Sequence, residues 1–154
     1  MAIQFLQGDI FATPDVKVLA HGCNCAGAMG KGIAVEFKKH WPKMYTEYKK
    51  QCTEKQFTVG DVMLWQEDDY TIFNLGTQRT WRTKATTSAI KESVVKMIQL
   101  AEELNLDHIA LPRIGAGLGG LTWPTVKEIL TEASKTTSIN LLICEDYIQG
   151  QPLK

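Results

Sequence analysis

Twice in this chain of 154 residues an apolar strand pattern runs into a cluster of glycines and then into a helix pattern. The first cluster is His21-Gly22-Cys23-Asn24-Cys25-Ala26-Gly27-Ala28-Met29-Gly30-Lys31-Gly32-Ile33-Ala34. The second follows Ile109-Ala110-Leu111-Pro112 and reads Gly115-Ala116-Gly117-Leu118-Gly119-Gly120. Glycine lets the main chain approach a ligand closely and take a positive φ. Loops of free main-chain N–H groups bind anions. Two such loops in one small domain point to a ligand with at least one phosphate to hold.

The rest of the pattern supplies a scaffold. Residues 2–7 and 16–21 read as strands, and residues 32–40 as a helix. Pro42 opens a further helical turn or helix to about residue 51. Residues 61–66 and 70–75 read as a hairpin turned by Glu67-Asp68-Asp69. A polar loop spans 76–84. Thr86 or Thr87 then caps a long helix to about Leu104, whose Ile90, Val94, Met97, Ile98 and Ala101 form an apolar stripe. A strand at 108–111, a helix from Pro124 to about Ser134 and a strand at 139–144 follow. Residues 149–154 read as a loose tail after a single domain of residues 1–148. The order β-β-α-β-β-α-β-α-β implies an α/β fold, with a largely parallel or mixed sheet covered on both faces. Right-handed crossovers bring loops that follow strands to one rim, so both glycine loops are expected to line one crevice.

Several function classes are disfavoured. Lys and Arg number 17, as do Asp and Glu, so no overall field recruits nucleic acid. That balance leaves room for a local basic patch around Arg79, Arg82 and Lys84. No apolar run approaches the roughly 20 residues of a membrane helix, and no secretory pattern is visible. A cytoplasmic protein with no membrane partner is expected. The four cysteines form no disulfide framework, Cys23 and Cys25 are too close for a zinc pair, and no metal is expected. Gly115-x-Gly117-x-x-Gly120 matches the dinucleotide pattern, but it lies late in the chain and no acidic residue follows about 20 residues on. A Walker A loop fails because Gly32 follows Lys31 and Cys25 holds the first glycine position.

Single residues are ambiguous alone. Asp9, after the first strand, is a turn residue or an acceptor for an exocyclic amine. Asn24 is a turn residue or a partner for ribose hydroxyls. His21 at a strand end is a core residue or a proton-transfer group. Lys84 is solvated or, once desolvated, a nucleophile toward a sugar carbonyl.

Taken together, Gly8-Asp9-Ile10, the run from His21 to Ala34, and Leu111-Pro112-Arg113-Ile114-Gly115-x-Gly117-Leu118-Gly119-Gly120-Leu121-x-Trp123 resemble the macro domain, an ADP-ribose-binding module, over nearly the whole chain. The resemblance is nearest to the branch of ADP-ribose 1″-phosphate phosphatases, terminal ADP-ribose glycohydrolases and DNA-directed glycohydrolase antitoxins. It implies a three-layer α/β/α fold with a mixed, mostly parallel six-stranded sheet. It implies that Asp9 and the backbone of Ile10 read adenine. Asn24, Gly27, Met29, Gly30, Lys31, Gly32 and Ile33 would wrap the distal ribose, and Ile114, Gly115, Ala116, Gly117, Leu118 and Gly119 would cradle the pyrophosphate. Lys84, His21 and Asn24 would carry the chemistry at C1″. Glycine at 119 stands where the terminal glycohydrolases have Asp, whereas the DNA-directed antitoxins also have glycines. The resemblance implies a monomer that needs no cofactor and hydrolyses a 1″ substituent of small-molecule, protein-linked or DNA-linked ADP-ribose. A non-catalytic ADP-ribose reader and a nicotinamide-dependent oxidoreductase are the competing readings.

Overall fold

The computed structural model describes residues 3–116 and 119–154. Its elements are β1 (Ile3–Gly8), β2 (Val18–Asn24), α1 (Ala34–His40), α2 (Pro42–Thr53), β3 (Val62–Glu67), β4 (Tyr70–Gln78), α3 (Thr87–Glu103), β5 (His108–Leu111), α4 (Trp123–Ser134) and β6 (Asn140–Tyr147). The sheet order is β1-β6-β5-β2-β4-β3. β3 runs antiparallel to β4, and the other pairings are parallel. This is the mixed, mostly parallel six-stranded sheet that the resemblance implied, and it fits the largely parallel or mixed sheet read from the element order.

Strand alternation sorts the side chains into two cores. Val18 and Ala20 of β2 and Phe73 and Leu75 of β4 face α3 and α4. Leu19 and Cys23 of β2 and Ile72 of β4 face the other way, onto Phe37 of α1 and Met44 and Tyr48 of α2. The sheet is therefore the middle of three layers. In α3, Ile90, Val94, Met97 and Ala101 are fully buried along one stripe. Burying an aliphatic side chain of this size stabilises the fold by about 1.5–3 kcal/mol, so the stripe outweighs any propensity term. Thr86 starts α3 by accepting a hydrogen bond from the Ala89 amide at 3.1 Å.

The topology sets up the site. After β2 the chain crosses toward β3 and β4, and after β5 it crosses the other way to β6. β2 and β5 are neighbours, with Leu19 opposite Ala110. The sheet therefore has its switch point between the two strands that carry the glycine loops, where open α/β sheets bind ligands.

Two expectations are corrected. β2 and β4 run on to Asn24 and Gln78, beyond the expected ends at 21 and 75. The added residues are polar or glycine, and they stay in the sheet because partners satisfy them. The segment from Pro42 takes the helical form that was expected, over 12 residues. Residues 149–154 are not a loose tail. Gln7 and Lys154 exchange two main-chain hydrogen bonds at 3.1 and 3.0 Å, which gives the outer edge of β1 the partner an edge strand otherwise lacks. Among the described residues no helix is long and apolar enough to cross a membrane.

Candidate functional site

The C-terminal ends of β1, β6, β5, β2 and β4 share one rim, because these strands are mutually parallel. The two glycine loops start on adjacent strands. Asp9, at the end of β1, stands three strands from β2, about 15 Å at ordinary strand spacing. The rim therefore carries both glycine loops near its centre and Asp9 toward one edge.

The first cradle is built around Asn24. Its Oδ1 accepts from the Ala26 amide at 3.0 Å, the Ala28 amide at 3.3 Å and the Tyr48 hydroxyl at 3.0 Å. Its Nδ2 donates to the Ala28 carbonyl at 2.8 Å. The Tyr48 hydroxyl also donates to the Asn24 carbonyl at 2.6 Å, which ties the loop to α2. One N–H of Asn24 is left over for a ligand. Beyond the brace, the amides of residues 29–34 donate to no acceptor among the described residues. A cleft of about 470 Å³ opens beside them, lined by Asn24, Gly30, Lys31, Gln78 and Trp81 among others. A side chain at Gly30 would meet nothing within 4 Å. No neighbour in the fold requires glycine at that position, and the open space it leaves faces the cleft.

The second cradle is tied down differently. Gly115 has φ 72°, and a Cβ there would collide with Ile90 Cδ1 of α3. The Gly115 carbonyl accepts from the Leu121 amide at 3.0 Å, and the Gly119 carbonyl from the Ala85 amide at 2.8 Å. The amides of Gly115 and Ala116 donate to no acceptor among the described residues. Gly117 and Leu118, expected in this cradle, lie outside the described residues. The Gly119 backbone packs against Gln78, and Gly120 against the aliphatic stem of Lys84.

The structure brings Asn24, Met29, Gly30 and Lys31 together at the cleft, whereas Lys84, whose stem lies against Gly120, is not among the residues that line it. It does not bring His21 there. That imidazole is fully buried and stacks on Phe37 with centroids 3.8 Å apart. Its Nε2 donates to Asn74 Oδ1 at 2.7 Å. Burial lowers its pKa to about 4, against a smaller opposing contribution from the Asn74 bond. Buried in this way, the ring favours its neutral form and presents no face to solvent or to the cleft lining. Asp9 is 5% exposed and largely committed. Its Oδ1 accepts from the Phe11 amide at 2.8 Å, and its Oδ2 from the Gly150 amide at 2.9 Å and the Tyr147 hydroxyl at 3.3 Å. The Ile10 side chain is core, while its amide has no acceptor among the described residues.

Sequence reasoning missed Tyr48, Gln78 and Trp81. Tyr48 lies inside a helix and Gln78 inside a polar stretch that reads as loop. An exposed Trp81 beside Arg82 was the one available signal. The Gln78 side chain donates to the Thr80 and Thr83 carbonyls at 2.9 and 3.0 Å, and its carbonyl accepts from the Cys25 amide at 3.0 Å.

The chemistry available is that of amides and cations. Among the described residues Lys31, Arg79, Arg82 and Lys84 have no carboxylate partner. Burial pushes the Cys23 thiol up and takes Cys25 to about 12, with Cys52 adding to both, so neither offers a thiolate. Among the described residues no Asp, Glu or His lines the cleft.

Known proteins resemble this chain in sequence and fold. The chain is 33% identical over 135 residues to the DNA ADP-ribosyl glycohydrolase of Mycobacterium tuberculosis, covering 85% of this chain but only 38% of that protein. It is 29% identical over 141 residues to the ADP-ribose glycohydrolase OARD1 of Homo sapiens, covering 92% and 90% of the two. The macrodomain of Mycobacterium tuberculosis DarG superposes with a TM-score of 0.85 at 33% identity, over 94% of this chain and 96% of that one. A family model described as Macro domain matches residues 20–130, and the chain belongs to the macro domain family.

Proposed function

We propose that this macro domain binds ADP-ribose along the rim and hydrolyses a substituent at C1″ of the distal ribose. The observation that carries this reading is the pair of amide cradles flanking one cleft at the switch point of the sheet. The pyrophosphate lies over the amides of Gly115 and Ala116. The distal ribose enters the cleft against Gly30, where no side chain stands in its way. Adenine extends toward Asp9, the Ile10 amide donating to it. The names of the relatives support hydrolysis of ADP-ribose derivatives. The same reading has the protein act as a monomer in the cytoplasm.

In the reaction the bond from C1″ or its phosphate to the leaving group breaks, and water supplies the replacing oxygen. Fixing the sugar in a braced cleft converts an encounter with water into an oriented one, which accounts for a large part of the rate. Lys84, exposed beside Gly120, offsets negative charge that develops on the departing group or on the phosphoryl oxygens, and a proton of the attacking water passes to the departing group. Asn24 contributes by holding the loop and by its one free N–H.

Calorimetry with ADP-ribose, followed by a turnover assay on 1″-phosphate, protein-linked and DNA-linked substrates, tests the proposal. Wild type is expected to bind and to cleave at least one. Lys84→Ala should still bind, with turnover reduced about 10²–10³-fold, the usual cost of one charge-stabilising group. The lack of any carboxylate or imidazole on the cleft walls favours a second reading, a non-catalytic reader. Tight binding with every substrate intact would establish the reader, and an absence of binding would defeat both.

A further inference from the structure

Gly8 precedes Asp9 in the sequence, yet only Asp9 has a part in the proposed site. The fold accounts for the glycine. A Cβ at Gly8 would lie 2.7 Å from the Pro152 carbonyl oxygen and 2.8 Å from that of Gln151. Residues 148–154 cross directly over the end of β1, and a residue without a side chain leaves room for them. The crossing is tied along its length. The Ile148 amide donates to the Gly8 carbonyl at 2.9 Å, and the Asp9 amide to the Gln151 carbonyl at 2.6 Å. The Leu153 amide donates to Thr13 Oγ1 at 3.0 Å, and that hydroxyl donates in turn to the Asp9 carbonyl at 2.8 Å. Leu153 packs against the core that contains Phe37 and Met44.

Closing the edge of β1 needs only the ladder bonds at Gln7. The segment also aims a donor at the Asp9 carboxylate, which has about four acceptor positions. Oδ2 accepts from the Gly150 amide at 2.9 Å and the Tyr147 hydroxyl at 3.3 Å, which fills it. Oδ1 accepts from the Phe11 amide at 2.8 Å, which leaves one position open. Turning the carboxylate would break these bonds together, so the open position has a fixed direction. It stands beside the Ile10 amide, which has no acceptor among the described residues. One aimed acceptor next to one donor complements an amine adjacent to a ring nitrogen.

We infer that residues 148–154 form a strap that sets the base selectivity of the site, with Gly150 and Thr13 as positioning residues acting through Asp9. The inference deepens the proposed function and rests on it. The test compares, by calorimetry, the affinities for ADP-ribose and for its analogue with hypoxanthine in place of adenine, in which a carbonyl replaces the amine. Wild type should prefer ADP-ribose by about 10- to 150-fold, the worth of a hydrogen bond to a charged group. Gly150→Pro, which has no N–H, and Gly8→Ala, which lifts the segment, should each lower that preference at least about threefold, through weaker ADP-ribose binding. Thr13→Val should lower it less, and Thr13→Ser should restore it. A strap with a purely structural role would reduce the unfolding midpoint and both affinities together. An unchanged ratio of affinities therefore overturns the inference. Should Gly150→Pro and Gly8→Ala fail to fold, the two Thr13 variants decide. A wild type that binds both nucleotides equally overturns the inference and leaves the proposed binding intact. A wild type that binds neither overturns the proposed function and this inference with it.

Discussion

Replacing Asn24 with Ala tests whether the first cradle is braced by one side chain. The substitution removes four hydrogen bonds, three accepted by Oδ1 and one donated by Nδ2. Two of them cost little. The Tyr48 hydroxyl keeps the Asn24 carbonyl at 2.6 Å, and the exposed Ala26 amide turns to water. The amide and carbonyl of Ala28 lose partners in a half-buried setting. At a net 0.5–1.5 kcal/mol per bond the loss is about 2 kcal/mol. A domain of this size loses about 3 °C per kcal/mol, so the midpoint of thermal unfolding should fall by about 6 °C. Affinity for ADP-ribose should fall at least about tenfold, or 1.4 kcal/mol, because the amides of the loop lose their fixed directions. Asn24→Asp keeps the acceptor and loses the donor, and should fall between the two. Unfolding followed by circular dichroism and calorimetry with ADP-ribose are the measurements. An unchanged midpoint refutes the bracing, and a lowered midpoint with unchanged affinity refutes its relevance to the ligand.

Two glycines should respond in opposite ways. Gly30→Val should leave stability within about 0.5 kcal/mol, as its Cβ meets nothing, yet cut ADP-ribose affinity. Gly115→Ala should cost more than about 1 kcal/mol, from its positive φ and the clash with Ile90, as denaturant titration will show. His21 makes stability depend on pH. Its folded pKa of about 4 lies below the ordinary 6.5, so the unfolded chain binds the proton first as pH falls. That contribution is complete above pH 6.5 and is lost between 6.5 and 4. Urea titrations should show about 2 kcal/mol less stability at pH 5 than at pH 7 from this group, and His21→Gln should reduce the difference. Equal losses in the two proteins would contradict a buried neutral imidazole.

The scaffold was legible where apolar residues recur with a clear period. The stripe from Ile90 to Ala101, the hairpin after Asp61 and the two prolines that open α2 and α4 all stand as their patterns implied. The ends of β2 and β4 were not legible. Asn74, Thr77 and Gln78 are buried polar residues, and such residues look like loop until their partners are known. Asn74 donates to the Met63 carbonyl at 3.1 Å and accepts from His21, both far away in sequence. The same blindness hid His21, whose burial depends on Phe37 arriving from α1. In the site, the glycines pointed correctly to two loops on one rim. The bracing by Asn24 and Tyr48 was out of reach, since it joins a strand end to the middle of a helix.

Gln78 has a consequence for turnover. One residue fastens Cys25 through its carbonyl and the 80–83 turn through its amide, while its side chain abuts the backbone of Gly119. Both banks of the groove and its far lip are thus bolted to a common post. Under the proposed function, product leaves between banks that share this support, and how fast it departs follows from how tightly it is held.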